Sequence, residues 1–105
     1  MRFETTPAFD ADFRALTPEH QRMFRDRIGL FSDGCDAWGS CGPEPWPWPW
    51  PANLRVHQLV NTMVWSMTWH YRRPDGRATF QFIPTKPGLM VRWRRIGGHD
   101  IYEDP

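Results

Sequence analysis

The chain has 105 residues and a formal net charge of +1, and 24% of its residues are charged. That length suffices for one domain with its own core, so we expect a single domain over residues 1–105. The first residues contain acids and no apolar secretion segment, and no stretch is apolar enough to span a membrane. We therefore expect a cytoplasmic protein that does not associate with membranes.

The two halves of the chain differ in charge. Residues 1–53 contain five arginines and eight acids, whereas residues 54–105 contain eight lysines and arginines and four acids. A cationic half is typical of proteins that bind polyanions, although a solvated sheet face would give the same counts. Both interpretations stay open at this point.

The first 32 residues predict a strand and two helices. Residues 2–5 are suited to a short strand. Thr6-Pro7 and Thr17-Pro18 each combine an N-cap residue with proline at the first helical position. Apolar residues at helical spacing follow each signal, and Gly34 is expected to end the second helix; they are Phe9, Phe13 and Leu16, then Phe24, Ile28 and Phe31.

Residues 33–53 are rich in glycine, proline and tryptophan and predict a long Trp/Pro-rich loop. In polyproline II geometry Trp46, Trp48 and Trp50 would point in different directions. We expect at least one of them to pack on the core; a platform for bases or a dock for a partner is the alternative. Cys35 and Cys41 are expected to be free thiols in this loop, because their spacing suits zinc poorly, and no metal or cofactor is predicted.

From residue 54 onward the chain alternates with a period of two, which is typical of strands. Four stretches place apolar residues on one face and polar residues on the other, and this pattern indicates an antiparallel sheet with one packed and one solvated face. The residues RPDG at 73–76 predict a tight turn. The polar sides are Arg55 and His57; Ser66, Thr68, His70 and Arg72; Arg77, Thr79 and Gln81; and Arg92 and Arg94.

Together these elements predict an α+β fold. An N-terminal strand and a two-helix hairpin should pack on a mainly antiparallel sheet of four to five strands. The apolar face of the hairpin is the natural cover for the aromatic side of the sheet. The polar side is left as the working surface.

The polar side gathers histidine and arginine, and the sequence lacks the phosphate-loop, dinucleotide, serine-hydrolase and zinc-protease motifs. RNA can be cut without a metal when its own 2′-hydroxyl attacks the neighbouring phosphorus, which requires a base, an acid and fixed cations. Histidine and arginine supply all three. The predicted nucleic-acid contacts are Arg55, His57, His70, Arg72, Lys86 and Arg92.

The strand-turn-strand piece PDGRATF at 74–80 and the ending WRRIGGHDIY at 93–102 resemble the RelE/ParE superfamily of toxins from type II toxin–antitoxin systems. The order of a strand, two helices and an antiparallel sheet is similar as well. The resemblance covers most of the chain except residues 33–53, and the ending is its more specific part. The chain differs from the family pattern in its Trp/Pro-rich loop and in having a single lysine, Lys86.

The resemblance to the RelE branch implies an mRNA interferase. Such a toxin is an endoribonuclease that cuts messenger RNA on the ribosome. It is inhibited by binding a cognate antitoxin, and a heterotetramer of the two proteins is one expected assembly. By position it assigns Arg77 to phosphate stabilisation, His99 to acid or base catalysis and Tyr102 to stacking on or orienting the nucleotide. Arg94 joins this catalytic set from the strand pattern.

Two alternatives stay open beside the interferase. One is a non-enzymatic toxin of the ParE branch that acts on DNA gyrase. The other is a catalytically inactive binding module that uses the Trp/Pro-rich loop. For the toxins we expect an acidic, partly helical antitoxin segment near the arginines or along the two helices, because it would neutralise the cationic surface.

Overall fold

The fold is described by a computed structural model that covers residues 2–41, 50–70, 76–86 and 88–105. Within these ranges, two 3-10 helices, Ala52–Leu54 and His99–Glu103, accompany two α-helices and five strands. None of the helices among them is long and apolar enough to cross a membrane. In chain order the main elements are β1 (Arg2–Thr5), α1 (Pro7–Ala15), α2 (Pro18–Cys41), β2 (His57–Gln58), β3 (Trp65–His70), β4 (Gly76–Thr85) and β5 (Gly88–Gly97).

The five strands form one sheet in the order β1-β5-β4-β3-β2. β1 is parallel to β5, and the remaining neighbours are antiparallel. The predicted α+β fold, with a strand and a helix hairpin before a mainly antiparallel sheet, is confirmed. The strand expected to start at Leu54 is shorter than predicted. Leu54 lies in a 3-10 helix and Arg55 adopts a left-handed φ of 47°, so pairing is limited to β2.

Both helices begin where the sequence predicts. The Oγ1 of Thr6 accepts a hydrogen bond from the backbone N–H of Phe9 (3.1 Å), and that of Thr17 accepts one from His20 (3.2 Å). These caps satisfy N–H groups that have no partner within the helix. The hydroxyl of Thr6 also donates to the main-chain oxygen of Arg94 at 2.8 Å, which ties the start of α1 to β5.

Aromatic rings from both helices fill the space over one face of the sheet. Phe24 packs edge-on against Trp93, with ring centroids 5.3 Å apart. Phe31 is fully buried and lies 4.9 Å from Phe80 and 5.0 Å from Trp93 between centroids. Burying a side chain of this size stabilises the fold by about 1.5–3 kcal/mol. The predicted aromatic side of the sheet is therefore the core side.

The second helix is longer than the sequence predicts. The prediction that Gly34 ends it is wrong, because α2 continues to Cys41 and Gly34 is buried within it. A Cβ at this position would lie 2.2 Å from Cδ1 of Trp50. Glycine is needed here for the close approach of an indole ring. Residues 33–41, the predicted start of the Trp/Pro-rich loop, are therefore helical.

Trp50 belongs to the core. It is 3% exposed, and its Nε1 donates to the main-chain oxygen of Phe31 at 3.3 Å. The expectation that at least one tryptophan of the Trp/Pro-rich loop packs on the core is thus confirmed, and this ring is not available as a surface for bases. Trp46 and Trp48 lie outside the described residues, as does most of the predicted turn at 73–76.

We predict that Gly34→Ala destabilises the protein although alanine is the better helix former. The added Cβ collides with Trp50, and overpacking typically costs about 1–3 kcal/mol, more than the gain of about 1 kcal/mol in helix propensity. Gly29→Ala in the same helix is the matched control, because a Cβ there meets nothing within 4 Å. Urea titration should show a loss of unfolding free energy for the first variant and a gain for the second. Equal shifts would contradict the placement of Trp50.

Candidate functional site

The sheet face opposite the helices carries polar side chains across all five strands, and we call it the polar face. Residues paired across neighbouring strands share a face. Glu4 of β1 is paired with Arg92 of β5, which is paired with Gln81 of β4; Thr79, two residues from Gln81 on β4, is paired with Ser66 of β3, which is paired with His57 of β2. The structure thereby brings Arg77, Arg92 and Arg94 onto one surface. The polar side chains on this face include Glu4, His57, Ser66, Thr68, Arg77, Thr79, Gln81, Arg92 and Arg94, and Arg95 is paired with Thr79.

A bulge in β5 decides where Arg94 lies. The register steps from Thr79–Arg95 to Phe80–Trp93, which leaves Arg94 as the extra residue of β5. Its Nη1 donates to the Oε1 of Gln81 at 3.0 Å, so its guanidinium stays on the polar face.

A second bulge, at Trp69 of β3, overturns one prediction. The register steps from Thr68–Arg77 to His70–Gly76, which reverses the alternation beyond Trp69. His70 consequently faces the helices, and its ring centroid lies 4.9 Å from that of His20 in α2. The prediction that His70 shares a face with Ser66 and Thr68 is wrong. His70 is therefore separate from the polar face.

The C-terminal residues fold back over the polar face. The Oη of Tyr102 lies 2.7 Å from the Oγ of Ser66. The main-chain oxygen of Pro105 accepts hydrogen bonds from the Oγ1 of Thr79 (3.3 Å) and the Nε of Arg94 (2.8 Å). These contacts bring Tyr102 to the sheet beside the predicted arginines.

The centre of the polar face is consequently buried. Ser66, Thr68 and Thr79 are 1% exposed or less, and Arg77 is 7% exposed. The expectation that this side of the sheet stays solvated is wrong at its centre, because the C-terminal residues cover it. It holds at the edge, where His57 is exposed.

Arg77 is held at this buried position by hydrogen bonds. Its Nη1 donates to the Oγ1 of Thr68 at 2.7 Å. Its main-chain oxygen accepts a hydrogen bond from the Nε1 of Trp69 at 3.0 Å, which fixes the backbone beneath the side chain. A cation in such a water-poor setting acts more strongly on a nearby anion than it would at an exposed surface.

His57 lies beside Ser66 on the edge strand, and its Nδ1 is 2.7 Å from the main-chain oxygen of Arg55. That oxygen only accepts hydrogen bonds, so Nδ1 carries the hydrogen. In the neutral ring Nε2 is then the basic nitrogen. Arg55 itself is exposed and lies at the same edge of the sheet.

The groups that could act on a phosphate are therefore close together. Ser66, the partner of Tyr102, and Thr68, the partner of Arg77, are two residues apart on β3 and thus about 7 Å apart along the strand. With His57 beside Ser66, the cluster combines a base, a phenol and a cation. This combination is suited to proton transfer and charge stabilisation at a phosphodiester without a metal.

Other predicted residues lie at the margins of the polar face or apart from it. Arg92 is ion-paired with Glu4, and the two side chains are 39% and 41% exposed. Lys86 is exposed beyond the far end of β4, nine residues from Arg77 and hence about 30 Å away. The side chain of His99 and the whole of Arg72 are outside the described part of the chain.

Arg95 has a structural role that the sequence pattern does not reveal. Its Nε and Nη2 donate to the two carboxylate oxygens of Asp12, at 2.6 and 3.2 Å. Hydrogen bonding to Asp12 raises the pKa of Arg95, against the opposing effect of partial desolvation. The same carboxylate accepts from the backbone N–H of Ile96, so this pair fastens α1 to β5. The sequence carries no local signal for this pair, because the position of Arg95 depends on the β5 bulge and on the approach of α1 to β5.

Cys35 lies in α2 and not in a loop, which corrects the prediction for this thiol. It is fully buried, and burial raises its thiol pKa to about 12. The side chain of Cys41 is outside the described residues. Among the described residues, no group of three or more histidine, cysteine or acidic side chains is placed to hold a metal ion.

We predict that Cys35 is unreactive in the folded protein. A thiol pKa of about 12 in place of 9.0 leaves about 1,000-fold less thiolate at neutral pH. In a Cys41→Ser chain, a disulfide reagent at pH 8 should therefore react with the remaining thiol only after urea is added. Rapid labelling of this variant in the absence of urea would show that the thiol is not buried.

The chain matches no protein-family model, no curated protein and no solved structure.

Proposed function

We propose that this chain is the toxin of a type II toxin–antitoxin system, a member of the RelE/ParE superfamily that acts as a metal-independent endoribonuclease on ribosome-bound messenger RNA. One observation carries the proposal. Arg77, Arg94 and Tyr102, which the strand pattern and the resemblance select, lie together on the polar face and are hydrogen-bonded to its side chains. The cytoplasm, where messenger is translated, is the matching location.

The proposed reaction uses the nucleophile that RNA itself carries. A bond forms between the 2′-oxygen and phosphorus, the bond from phosphorus to the 5′-oxygen breaks, and the products are a 2′,3′-cyclic phosphate and a 5′-hydroxyl. His57 and His99 serve as the base for the 2′-hydroxyl and the acid for the leaving oxygen. Arg77 and Arg94 stabilise the charge that grows on the phosphate, and Tyr102 orients the nucleotide.

The margin of the polar face supports a path for the RNA strand. Arg55 is exposed at one edge, and Arg92 is half-exposed near the other. Guanidinium groups bind phosphate oxygens through paired hydrogen bonds, so these residues extend the cationic surface on both sides of the cluster. An antitoxin that places an acidic segment over the same surface would block RNA and neutralise the charge. A heterotetramer with the antitoxin is the proposed assembly.

We predict that messenger RNA in a translating extract acquires new 5′ ends, carrying a hydroxyl, when this chain is expressed. The double variant Arg77→Ala/His99→Ala should lower their yield at least about 100-fold, since acid–base catalysis alone contributes about 10²–10⁴-fold. Arg22→Ala, at an exposed position of α2 on the helical side, is the matched control and should cleave like the wild type. Mapping the 5′ ends by sequencing measures all three.

Two outcomes would count against this function. One is intact messenger in the presence of the folded wild-type chain. The other is equal cleavage by the wild type and the double variant, which would assign the activity to other residues or to a contaminant.

The burial of Arg77 counts against direct access of RNA to this guanidinium, and a non-enzymatic toxin that inhibits DNA gyrase is therefore the second candidate function. Arg77 is only 7% exposed and the C-terminal residues occupy the centre of the polar face, so RNA reaches this guanidinium only if residues 99–105 shift. A supercoiling assay with purified gyrase separates the candidates. Inhibition in the absence of ribosomes supports the second, whereas unimpaired supercoiling supports the endoribonuclease.

A further inference from the structure

Two buried hydroxyls of β3 each hold one residue of the candidate site. Ser66 is fully buried, and its Oγ lies 2.7 Å from the Oη of Tyr102. Thr68 is 1% exposed, and its Oγ1 accepts from Arg77 at 2.7 Å. The two hydroxyls stand on successive polar-face positions of one strand, so β3 sets the spacing between the phenol and the guanidinium.

A third hydroxyl repeats the arrangement on β4. Thr79 is fully buried, and its Oγ1 donates to the main-chain oxygen of Pro105 at 3.3 Å. The same oxygen accepts from the Nε of Arg94 at 2.8 Å. The hydroxyl of Thr79 is thus connected to Arg94 only through the main-chain oxygen of Pro105, whereas Ser66 and Thr68 are hydrogen-bonded directly to residues of the candidate site.

Packing alone does not require hydroxyl groups at these positions. Valine has nearly the shape of threonine, and a buried hydroxyl is unfavourable unless it is hydrogen-bonded. The hydroxyl of Thr68 is hydrogen-bonded to the side chain of Arg77, and the hydroxyl of Ser66 to that of Tyr102. Arg77 and Tyr102 are residues that the sequence independently predicts to be part of the site. Positions 66 and 68 therefore require a hydroxyl group for its hydrogen bond and not merely a side chain of suitable volume.

We propose that Thr68 and Ser66 are positioning residues of the endoribonuclease site, an inference that rests on the function proposed above. Thr68 fixes the guanidinium of Arg77 before RNA arrives, and Ser66 fixes the hydroxyl of Tyr102. Donors that are already oriented stabilise charge in the transition state without reorganisation. Loss of these two hydroxyls lowers kcat and leaves KM nearly unchanged, because Arg77 interacts with the charge that develops on the phosphate in the transition state.

The test compares variants of Thr68 on ribosomes programmed with a defined messenger. Thr68→Val should lower kcat about 10–100-fold, somewhat less than the loss of a direct oxyanion donor, with KM within about twofold of the wild type. Thr68→Ser retains the hydroxyl and should restore most of the rate. Thermal unfolding of both variants checks that they are folded at the assay temperature.

A double-variant cycle separates positioning from a general structural effect. In an Arg77→Ala chain, adding Thr68→Val should lower kcat no further, because the hydroxyl acts through the guanidinium that has been removed. A purely structural role predicts the same fold-loss in both backgrounds. Ser66→Ala combined with Tyr102→Phe gives the same cycle for the second hydroxyl, and it serves as the test if Thr68→Val does not fold.

The outcomes distinguish this inference from the function on which it rests. Cleavage by the wild type, loss of kcat in Thr68→Val and recovery in Thr68→Ser support both. Cleavage by the wild type with an unchanged kcat in Thr68→Val, or with equal losses in both backgrounds of the cycle, overturns the positioning role and leaves the endoribonuclease standing. A wild-type chain that leaves ribosome-bound messenger intact overturns the proposed function, and the positioning role with it.

Discussion

The packing of aromatic rings between the helices and one face of the sheet determines the rest of this molecule. Phe31 contacts both Phe80 and Trp93, and the ring of Trp50 completes this aromatic layer by packing directly against Gly34. Because side chains of a strand alternate between its two faces, filling one face with rings sends the intervening residues to the other. The polar face, with its arginines and hydroxyls, is the consequence of how the core is built.

The C-terminal residues partly enclose this polar face. A sheet face of hydroxyl and guanidinium groups would otherwise be solvated, and its charges would be screened by water and salt. Instead, Tyr102 is hydrogen-bonded to Ser66, and Pro105 to Thr79 and Arg94. These C-terminal residues shield the centre of the polar face from water. The result is a buried cation at Arg77 beside a phenol, with an exposed imidazole at the edge. The same cover limits access to Arg77, so RNA bound as proposed would have to displace it.

The fold was largely predictable because its signals are local. The caps at Thr6 and Thr17 and the alternation along β4 need no knowledge of distant residues. The bulges at Trp69 and Arg94 were not predictable, since they depend on how two strands pair. The site follows the same division. The shared face of Arg77, Arg92 and Arg94 could be predicted from the alternation, whereas the errors at His70 and Gly34 and the burial of Ser66 come from long-range contacts.

The central claim is that RNA meets this protein on the polar face and not on the helices. Photo-crosslinking on ribosomes programmed with a defined messenger tests it most directly. A photoreactive amino acid would replace either Arg92, half-exposed on the polar face, or Arg22, exposed on α2. This account predicts a crosslink to the messenger from position 92 and none from position 22. A crosslink from position 22 alone would contradict it.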